Sequence, residues 1–259
     1  MATSETQMQL GMKTSAPMPV ISNVRQPIDE VVSQDSVCAI ISGGEADLLT
    51  GAADAQFIVA VDRGYRYAQE QGIEPDLIIG DFDSYDADVS SLQEATRNGA
   101  EQSMPAADLP KIITLPKAKD DSDTLAALRY CLQLGYRNFQ LYCALGGRLD
   151  HLLANLQACS FAAEMGAAIE IISASTRVTL LHNSVRSFPR REGCALSIFS
   201  LSDTSLGVQI KGARYELTDA KLTRTFPIGL SNEWRTDDVV EVSVAYGTLI
   251  VIESRLETV

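Results

Sequence analysis

The chain has 259 residues, of which 46% are hydrophobic, and this is enough to bury the core of one large domain or of two ordinary ones. Its formal net charge of −13 argues against a nucleic-acid partner, which would need a basic surface, and no apolar run is long enough to cross a membrane. The five cysteines form no C-x-x-C pair and mostly lie in apolar contexts, which predicts free thiols and a cytoplasmic protein.

The first segment, residues 1–35, shows no clean hydrophobic periodicity and is predicted to be a loosely ordered extension. From residue 36 onwards, short apolar runs typical of buried strands alternate with helical patterns. This alternation predicts an α/β domain with a doubly wound parallel sheet, which we place at 36–176. The predicted strands cover 37–41, 57–61, 77–79, 111–115, 139–145 and 168–172, and the predicted helices cover 65–71, 86–98, 122–134 and 150–165.

The pattern changes after about residue 176. Short β-rich runs follow one another, punctuated by Gly, Pro and Asn, and no long helical pattern remains. This predicts a smaller all-β sandwich domain over 177–259.

Two acidic residues, Asp81 and Asp83, follow the predicted strand at 77–79. In an extended segment, side chains two residues apart point to the same side. Two carboxylates at the carboxyl end of a buried strand form an oxygen-rich site that suits a hard cation such as Mg²⁺. A plain polar turn is the alternative, since Asp and Ser are common turn residues.

Polar residues also follow the other predicted strands of the α/β region. The carboxyl ends of parallel strands lie at one edge of a sheet, so these residues are expected to share one site. Carboxylates would hold a metal ion there, while glycine turns and an arginine would hold phosphate oxygens, which predicts a magnesium–polyphosphate site. Neither a P-loop nor a G-x-G-x-x-G fingerprint is present. The residues concerned are Asp62, Asp120, Asp121, Asp123, Gly146, Gly147, Arg148, Asp150 and His151.

Five segments carry a resemblance to one family, and they occur in family order between about residues 60 and 235. They are Val61-Asp62-Arg63-Gly64, residues 75–84, Lys119-Asp120-x-Ser122-Asp123, Gly146-Gly147-Arg148-Leu149-Asp150-His151-x-x-Ala154-Asn155-Leu156, and Gly229-Leu230-Ser231-Asn232-Glu233. On these segments the chain resembles the thiamine pyrophosphokinases, also called thiamine diphosphokinases.

The resemblance implies an enzyme that transfers the diphosphate group of ATP to the hydroxyl of thiamine, giving thiamine diphosphate and AMP with the help of Mg²⁺. By similarity, Asp81, Asp83 and Asp123 would bind Mg²⁺, and Asp62 would belong to the same catalytic cluster. Either Asp62 or Asp123 is the candidate to accept the proton of the thiamine hydroxyl.

The resemblance also assigns residues to the two substrates. Gly146, Gly147, Arg148 and Asp150 would line the side of the site that holds the nucleotide and its phosphates.

The resemblance implies a homodimer in which residues 36–176 form the nucleotide-binding catalytic domain and the C-terminal sandwich, residues 177–259, binds thiamine near the subunit interface. Ser231 and Asn232 would lie close to thiamine there. Trp234, the only tryptophan, either stacks on the aminopyrimidine ring of thiamine or belongs to the core or interface of the sandwich.

Two positions depart from the family pattern. Arg63 stands where the family usually has glycine, so a side chain occupies the edge of the predicted site. Ser122 replaces the usual threonine and keeps a hydroxyl that can cap the following helix.

Two other functions are weighed against this one. A haloacid-dehalogenase-like phosphatase also places Asp-x-Asp after an apolar strand, but Gly80 and the Ser122-Asp123 pair fit it less well. A non-catalytic thiamine or nucleotide sensor would not need to keep the full set of acids.

Overall fold

The computed structural model describes residues 32–81, 110–116, 121–235 and 239–256. The helix predicted at 86–98, most of the N-terminal extension, Asp83 and Asp120 lie outside these ranges. In the α/β region the elements are β1 (Val37–Ile41), a short 3₁₀ helix (Ala52–Asp54), β2 (Phe57–Val61), α1 (Gly64–Glu70), β3 (Leu77–Gly80), β4 (Lys111–Thr114), α2 (Asp123–Gln133), β5 (Asn138–Tyr142), α3 (Leu149–Glu164) and β6 (Ala168–Ile172). The strands that follow are β7 (Thr176–His182), β8 (Val185–Pro189), β9 (Cys194–Ser200), β10 (Thr204–Lys211), β11 (Leu217–Thr223), β12 (Gly229–Asn232), β13 (Val239–Ser243) and β14 (Thr248–Arg255).

Strands β1 to β6 form a parallel sheet in the order β6-β5-β1-β2-β3-β4. The middle strands are buried on both faces, which explains their continuous apolar sequences. Helix α1 packs on one face through Tyr67 and Ala68, near Ala39. Helix α2 contacts β1, β2 and β3, and its Cys131 lies against Cys38, which points away from the α1 side. Helices therefore cover both faces, and the predicted doubly wound sheet is confirmed.

The strand order reverses between β1 and β5. From β1 the chain proceeds outwards through β2, β3 and β4, and it then returns to build β5 and β6 on the other side of β1. In open α/β sheets, the crevice at the carboxyl ends of the two strands that flank such a switch point is where ligands bind. The topology therefore predicts a ligand-binding site at the carboxyl ends of β1 and β5.

The large sheet continues into the C-terminal region. Strand β7 pairs with β6 in antiparallel fashion, and β14, β9 and β12 follow, so the sheet of the described residues has ten strands. A second, four-stranded sheet in the order β11-β10-β13-β8 faces the strands of this extension. Leu196, Ile198, Val240 and Val242 are among the buried residues of the core between the two sheets. The predicted sandwich is confirmed, and its larger sheet is shared with the α/β region.

Two glutamates are buried beside partly exposed arginines where the parallel strands meet the sandwich. Glu170 on β6 is 9% exposed, and Glu253 on β14 is 4% exposed. Glu170 accepts a hydrogen bond from Arg186 Nη2 on β8, and its Oε2 lies 3.9 Å from Arg177 Nε on β7. Burial raises the pKa of the Glu253 carboxyl, and the attraction of Arg191 and Arg177 offsets this rise only in part.

This raised pKa predicts how stability depends on pH. A carboxyl group whose pKa is higher in the folded state stabilises the fold below its unfolded pKa, and this contribution is lost as the pH rises through the folded pKa. The variant Glu253→Gln should therefore unfold at the same temperature as the wild type near about pH 4 and at a higher temperature near about pH 8. Thermal unfolding followed by circular dichroism measures both. Glu241→Gln, at a half-exposed glutamate paired with Lys211, is the control and should show no such trend. A stability difference that shrinks with rising pH would contradict the prediction.

Candidate active site

A cleft of about 420 Å³ opens at the switch point, at the carboxyl ends of β1, β2 and β3 and at the first turns of α2 and α3. Residues from five separate segments of the chain line this cleft. They are Ser42, Gly43, Gly44, Val61, Asp62, Arg63, Asp81, Ser122, Asp123, Thr124, Gly146, Arg148, His151, Ala154 and Asn155. Six residues of the predicted set therefore lie at one edge of the sheet: Asp62, Asp81, Asp123, Gly146, Arg148 and His151. Asp121 does not line the cleft and instead pairs with Arg129 at 2.6 Å.

Three of the four predicted catalytic acids, Asp62, Asp81 and Asp123, line this cleft. Asp62 follows β2 with a positive φ of 48°, a left-handed conformation that Asp tolerates better than most residues. Its backbone N–H donates to the carbonyl of Ile79 on the neighbouring strand at 3.1 Å. The fourth acid, Asp83, lies outside the described residues. The catalytic roles of all four remain predictions.

Gly80, the last residue of β3, makes room for the Asp62 carboxylate. A Cβ atom at this position would overlap Asp62 Oδ1 and would lie only 3.0 Å from Asp62 Cγ. Gly80 is also buried and directly precedes Asp81. The absence of a side chain at Gly80 therefore allows two acidic residues of neighbouring strands to lie next to each other.

The first turn of α2 brings Asp123 into the cleft. Ser122 caps this helix, since its Oγ accepts a hydrogen bond from the N–H of Leu125 at 3.2 Å, which confirms the predicted cap. The next residue after Asp123, Thr124, is buried and its Oγ1 lies 3.3 Å from Ser42 Oγ at the end of β1. This contact fixes the start of α2 against the switch point.

The connection from β5 to α3 supplies the glycines and the arginine predicted to hold phosphate. Gly146 and Gly147 both have positive φ angles, of 78° and 68°. Arg148 stands at the N-cap of α3 and pairs with Asp150 through two hydrogen bonds, Nε to Oδ1 at 3.1 Å and Nη2 to Oδ2 at 2.6 Å. The hydrogen bond raises the pKa of Arg148 and lowers that of Asp150, which favours the ion pair. Gly146 and Arg148 line the cleft, whereas Gly147 and Asp150 do not.

Ser42, Thr124 and Asn155 are among the cleft residues for which the sequence predicted no individual role. The side-chain amide of Asn155 is buried and donates to the carbonyl of Ala144 at 2.9 Å, so it holds the end of β5 against α3. Asn155 belongs to a segment that carries the family resemblance, and Ser42 precedes the glycine pair after β1. The sequence context could have indicated Ser42 and Asn155 as candidates, but their contacts depend on the packing of distant elements.

The residues predicted to bind thiamine lie in the sandwich and do not line this cleft. Ser231 is exposed, with a positive φ of 55°, and its N–H donates to Ser197 Oγ at 3.0 Å. Asn232 is buried, and its amide group bonds to the backbone N–H and carbonyl of Tyr215 at 3.0 and 2.8 Å. Trp234 is 9% exposed, belongs to the sandwich core and donates from Nε1 to the carbonyl of Phe188 at 2.9 Å.

A second concavity of about 250 Å³ lies beside β12. Asn232 contributes to its wall, and apolar side chains form most of the rest. Several of these are strongly exposed, including Tyr215, Ile228 and Leu230 at 60%, 55% and 64%. The thiamine assignment of Ser231, Asn232 and Trp234 stays a prediction.

The chemistry of the donors in the cleft fits a hard cation. Asp62, Asp81 and Asp123 offer carboxylate oxygens, which are the ligands that Mg²⁺ takes in proteins. Within the ranges that the structure describes, no three acidic, histidine or cysteine side chains come close enough together to hold a metal ion. The predicted ligand Asp83 falls outside those ranges.

No helix in the described part of the chain is long and apolar enough to cross a bilayer.

Comparison with known proteins gives matches over most of the chain. The model of the thiamin pyrophosphokinase catalytic domain matches residues 50–171, and that of the thiamin pyrophosphokinase vitamin B1 binding domain matches residues 184–249. The thiamine pyrophosphokinase of Bacillus subtilis (strain 168) is 26% identical over 220 residues, which cover 83% of the chain and 97% of that protein.

Solved structures are also similar. The crystal structure of thiamin pyrophosphokinase from Geobacillus thermodenitrificans superposes with a TM-score of 0.70 at 26% identity, covering 86% of the chain and 99% of that structure. Thiamin pyrophosphokinase from Candida albicans gives a TM-score of 0.68 over 85% of the chain and 89% of that structure, and at 17% identity this shows a common fold.

The parallel sheet, with a carboxylate-rich cleft at its switch point, defines the class of the protein as an α/β enzyme. Asp62, Asp81, Asp123, Gly146 and Arg148 of the cleft fall within the match to the catalytic domain, and Ser231 to Trp234 fall within the match to the vitamin B1 binding domain. The chain belongs to the thiamin pyrophosphokinase family. It is a kinase of the type that forms thiamine diphosphate.

Proposed function

We propose that the protein transfers the diphosphate group of ATP to the hydroxyl oxygen of thiamine in a Mg²⁺-dependent reaction and releases AMP. The observation that carries this proposal is the meeting of Asp62, Asp81, Asp123 and Arg148 in one cleft at the switch point. Carboxylates suit a metal ion, and an arginine beside glycine backbone suits phosphate oxygens. In the reaction the thiamine oxygen bonds to the β-phosphorus of ATP. The bond between the β-phosphorus and the oxygen that bridges it to the α-phosphorus breaks, and this oxygen leaves with AMP.

Asp81, Asp83 and Asp123 would hold Mg²⁺. When bound, the ion would neutralise part of the negative charge on the polyphosphate and favour an orientation of the polyphosphate that allows attack.

Arg148 would bind the phosphate chain. Its guanidinium is held by two hydrogen bonds to Asp150, so Asp150 orients it at the mouth of the cleft without lining the cleft itself. The backbone of Gly146 lies on the same side of the cleft and can approach phosphate oxygens closely because it carries no side chain.

Asp62 or Asp123 would accept the proton that the thiamine hydroxyl loses at its oxygen. Both carboxylates line the cleft, and both carry the negative charge that favours the cationic thiazolium ring of thiamine.

We also propose a homodimer with thiamine bound near the subunit interface. The surface beside β12 supports this, because it exposes Tyr215, Ile228 and Leu230 around a concavity, and Phe226 is also exposed. A contiguous patch of exposed apolar side chains is typical of a surface that binds another molecule. In this arrangement residues 36–176 carry catalysis, and residues 177–259 bind thiamine and form the dimer.

A cytoplasmic location belongs to the same proposal. All five cysteines lie within the described ranges as free thiols, and four of them are buried. Free thiols persist in reducing compartments.

The test is a product analysis with purified protein, ATP and Mg²⁺, with and without thiamine. We expect AMP to form only when thiamine is present, in equal amount to thiamine diphosphate, and to require Mg²⁺. ADP or free phosphate as the product would contradict diphosphate transfer, and a covalent aspartyl-phosphate would indicate the phosphatase instead. Binding of thiamine or ATP without turnover would identify a sensor.

A further inference from the structure

The loop after β1 reaches across the switch point to the loop after β5 through one side chain. The Oε2 atom of Glu45 accepts a hydrogen bond from the backbone N–H of Gly147 at 3.1 Å, although the two residues are 102 positions apart. The two loops that it joins carry Gly43 and Gly44 on one side and Gly146 on the other, and all three glycines line the cleft.

Glu45 and Gly146 are in direct contact. A Cβ atom at Gly146 would overlap Glu45 Oε2 and would lie 3.1 Å from Glu45 Cβ. Gly146 and Arg148 line the cleft, whereas Glu45 and Gly147 do not. The carboxylate therefore supports the glycine turn from outside the cleft.

The segment that carries Glu45 is itself well anchored. The N–H of Gly44 donates to the carbonyl of Cys143 at 3.0 Å, and the hydroxyl of Tyr67 donates to the carbonyl of Gly44 at 2.9 Å. Two residues further on, Asp47 accepts a hydrogen bond from the N–H of Ala174 at 3.1 Å. Glu45 thus extends from a fixed loop.

The turn that Glu45 supports, in contrast to the anchored loop, contains two glycines and is not rigid by itself. Two successive glycines with positive φ can adopt many conformations, so such a turn loses much conformational entropy when it becomes ordered. A hydrogen bond that orders the turn before the ligand arrives removes part of this cost from binding.

We propose that Glu45 is a positioning residue that holds the turn 146–148 in the conformation that receives the phosphate chain of the nucleotide. It acts through the N–H of Gly147 and does not touch the nucleotide. The inference rests on the proposed function for the identity of the ligand, but the ordering of the turn can be measured without any ligand.

The experiment compares Glu45→Ala and Glu45→Gln with the wild type. The matched control is Glu74→Ala, which removes one exposed glutamate just before β3, at the end of the sheet away from the cleft. Hydrogen exchange of the peptide that contains residues 144–150 and binding of ATP are measured in the free protein. The KM for ATP and kcat are measured for thiamine-dependent AMP formation.

We expect Glu45→Ala to speed exchange in this peptide and to raise the KM for ATP by about two- to tenfold, with kcat within about twofold of the wild type. Glu45→Gln should restore both quantities, because an amide oxygen can accept the same hydrogen bond. Glu74→Ala should resemble the wild type.

Three results would overturn the proposal. Unchanged exchange in Glu45→Ala would show that Glu45 does not order the turn. A higher KM without faster exchange would show that Glu45 acts directly on the ligand. Equal impairment in Glu45→Gln and Glu45→Ala would show that charge matters and the hydrogen bond does not. If no thiamine-dependent AMP forms at all, the proposed function fails, whereas hydrogen exchange and ATP binding still decide the role of Glu45.

Discussion

Replacing Gly80 by alanine is expected to lower kcat about 100-fold and to change the unfolding temperature little. The added methyl group would overlap the Asp62 carboxylate, which must rotate away, and a displacement of about 1 Å in a catalytic group can cost a factor of this size. The main conflict is with the end of the Asp62 side chain, the backbone nitrogen of Asp62 would lie 3.3 Å from the new Cβ, and Gly80 has no left-handed φ. Alanine therefore requires only a small backbone adjustment in the strand. The prediction thus separates catalytic geometry from folding.

A double-mutant cycle checks this cause. The rates of thiamine-dependent AMP formation are measured for Gly80→Ala, Asp62→Ala and the double variant. If the methyl group acts through Asp62, it should add little once the carboxylate is gone, so the two effects should be far from additive. Additive losses, or an unfolding temperature that falls with the rate, would refute the explanation.

Replacing Trp234 by alanine is expected to destabilise the protein by about 3–5 kcal/mol. The indole is packed in the sandwich core beside Phe188, Val240 and Ala213, and its N–H donates to the carbonyl of Phe188. Truncation would leave a cavity and an unpaired backbone carbonyl. Trp234→Phe keeps most of the volume but loses the hydrogen bond and part of the packing, so its cost should be smaller, about 1–3 kcal/mol.

Urea unfolding followed by circular dichroism gives these free energies. Thiamine binding, measured by calorimetry under folding conditions, shows whether Trp234 also contacts the substrate. A core role requires that stability falls and that binding by Trp234→Phe remains close to that of the wild type. Wild-type stability in Trp234→Ala together with weakened thiamine binding would instead support stacking on the aminopyrimidine ring.

The parts of the structure that were predictable from the sequence depend on local pattern and on one rule of topology. The buried parallel strands have continuous apolar sequences, so five of the six were predicted to within one residue. The exception is β5, which ends at Tyr142 and not at the predicted residue 145. Because parallel strands end at the same edge of a sheet, Asp62, Asp81 and Asp123 could be assigned to one site. The cap at Ser122 was predictable for a similar reason, since an N-cap is a local hydrogen bond.

Features that depend on long-range packing were not predictable. The motif around Ser231, Asn232 and Trp234 gave no indication that Asn232 and Trp234, which are two residues apart, both point inwards while Ser231 is exposed. Glu45 belongs to no motif, and its hydrogen bond to Gly147 exists only because the topology brings the loops after β1 and β5 together. Nor does any local pattern reveal that the sheet continues from β6 into β7.

The pairing of β6 with β7 determines how the protein can be divided. The antiparallel ladder joins Ile169 to Leu180 and Ile172 to Arg177, so the connection between the regions is part of a sheet and not a flexible linker. Bending between the two regions at this point would have to break the hydrogen bonds of that ladder. We therefore expect no hinge motion there. A fragment that stopped at β6 would expose the whole length of that strand as an unpaired edge, the kind of edge through which separate molecules aggregate. The parallel sheet of the α/β region therefore needs strand β7 to cover its edge, whether or not a ligand is present.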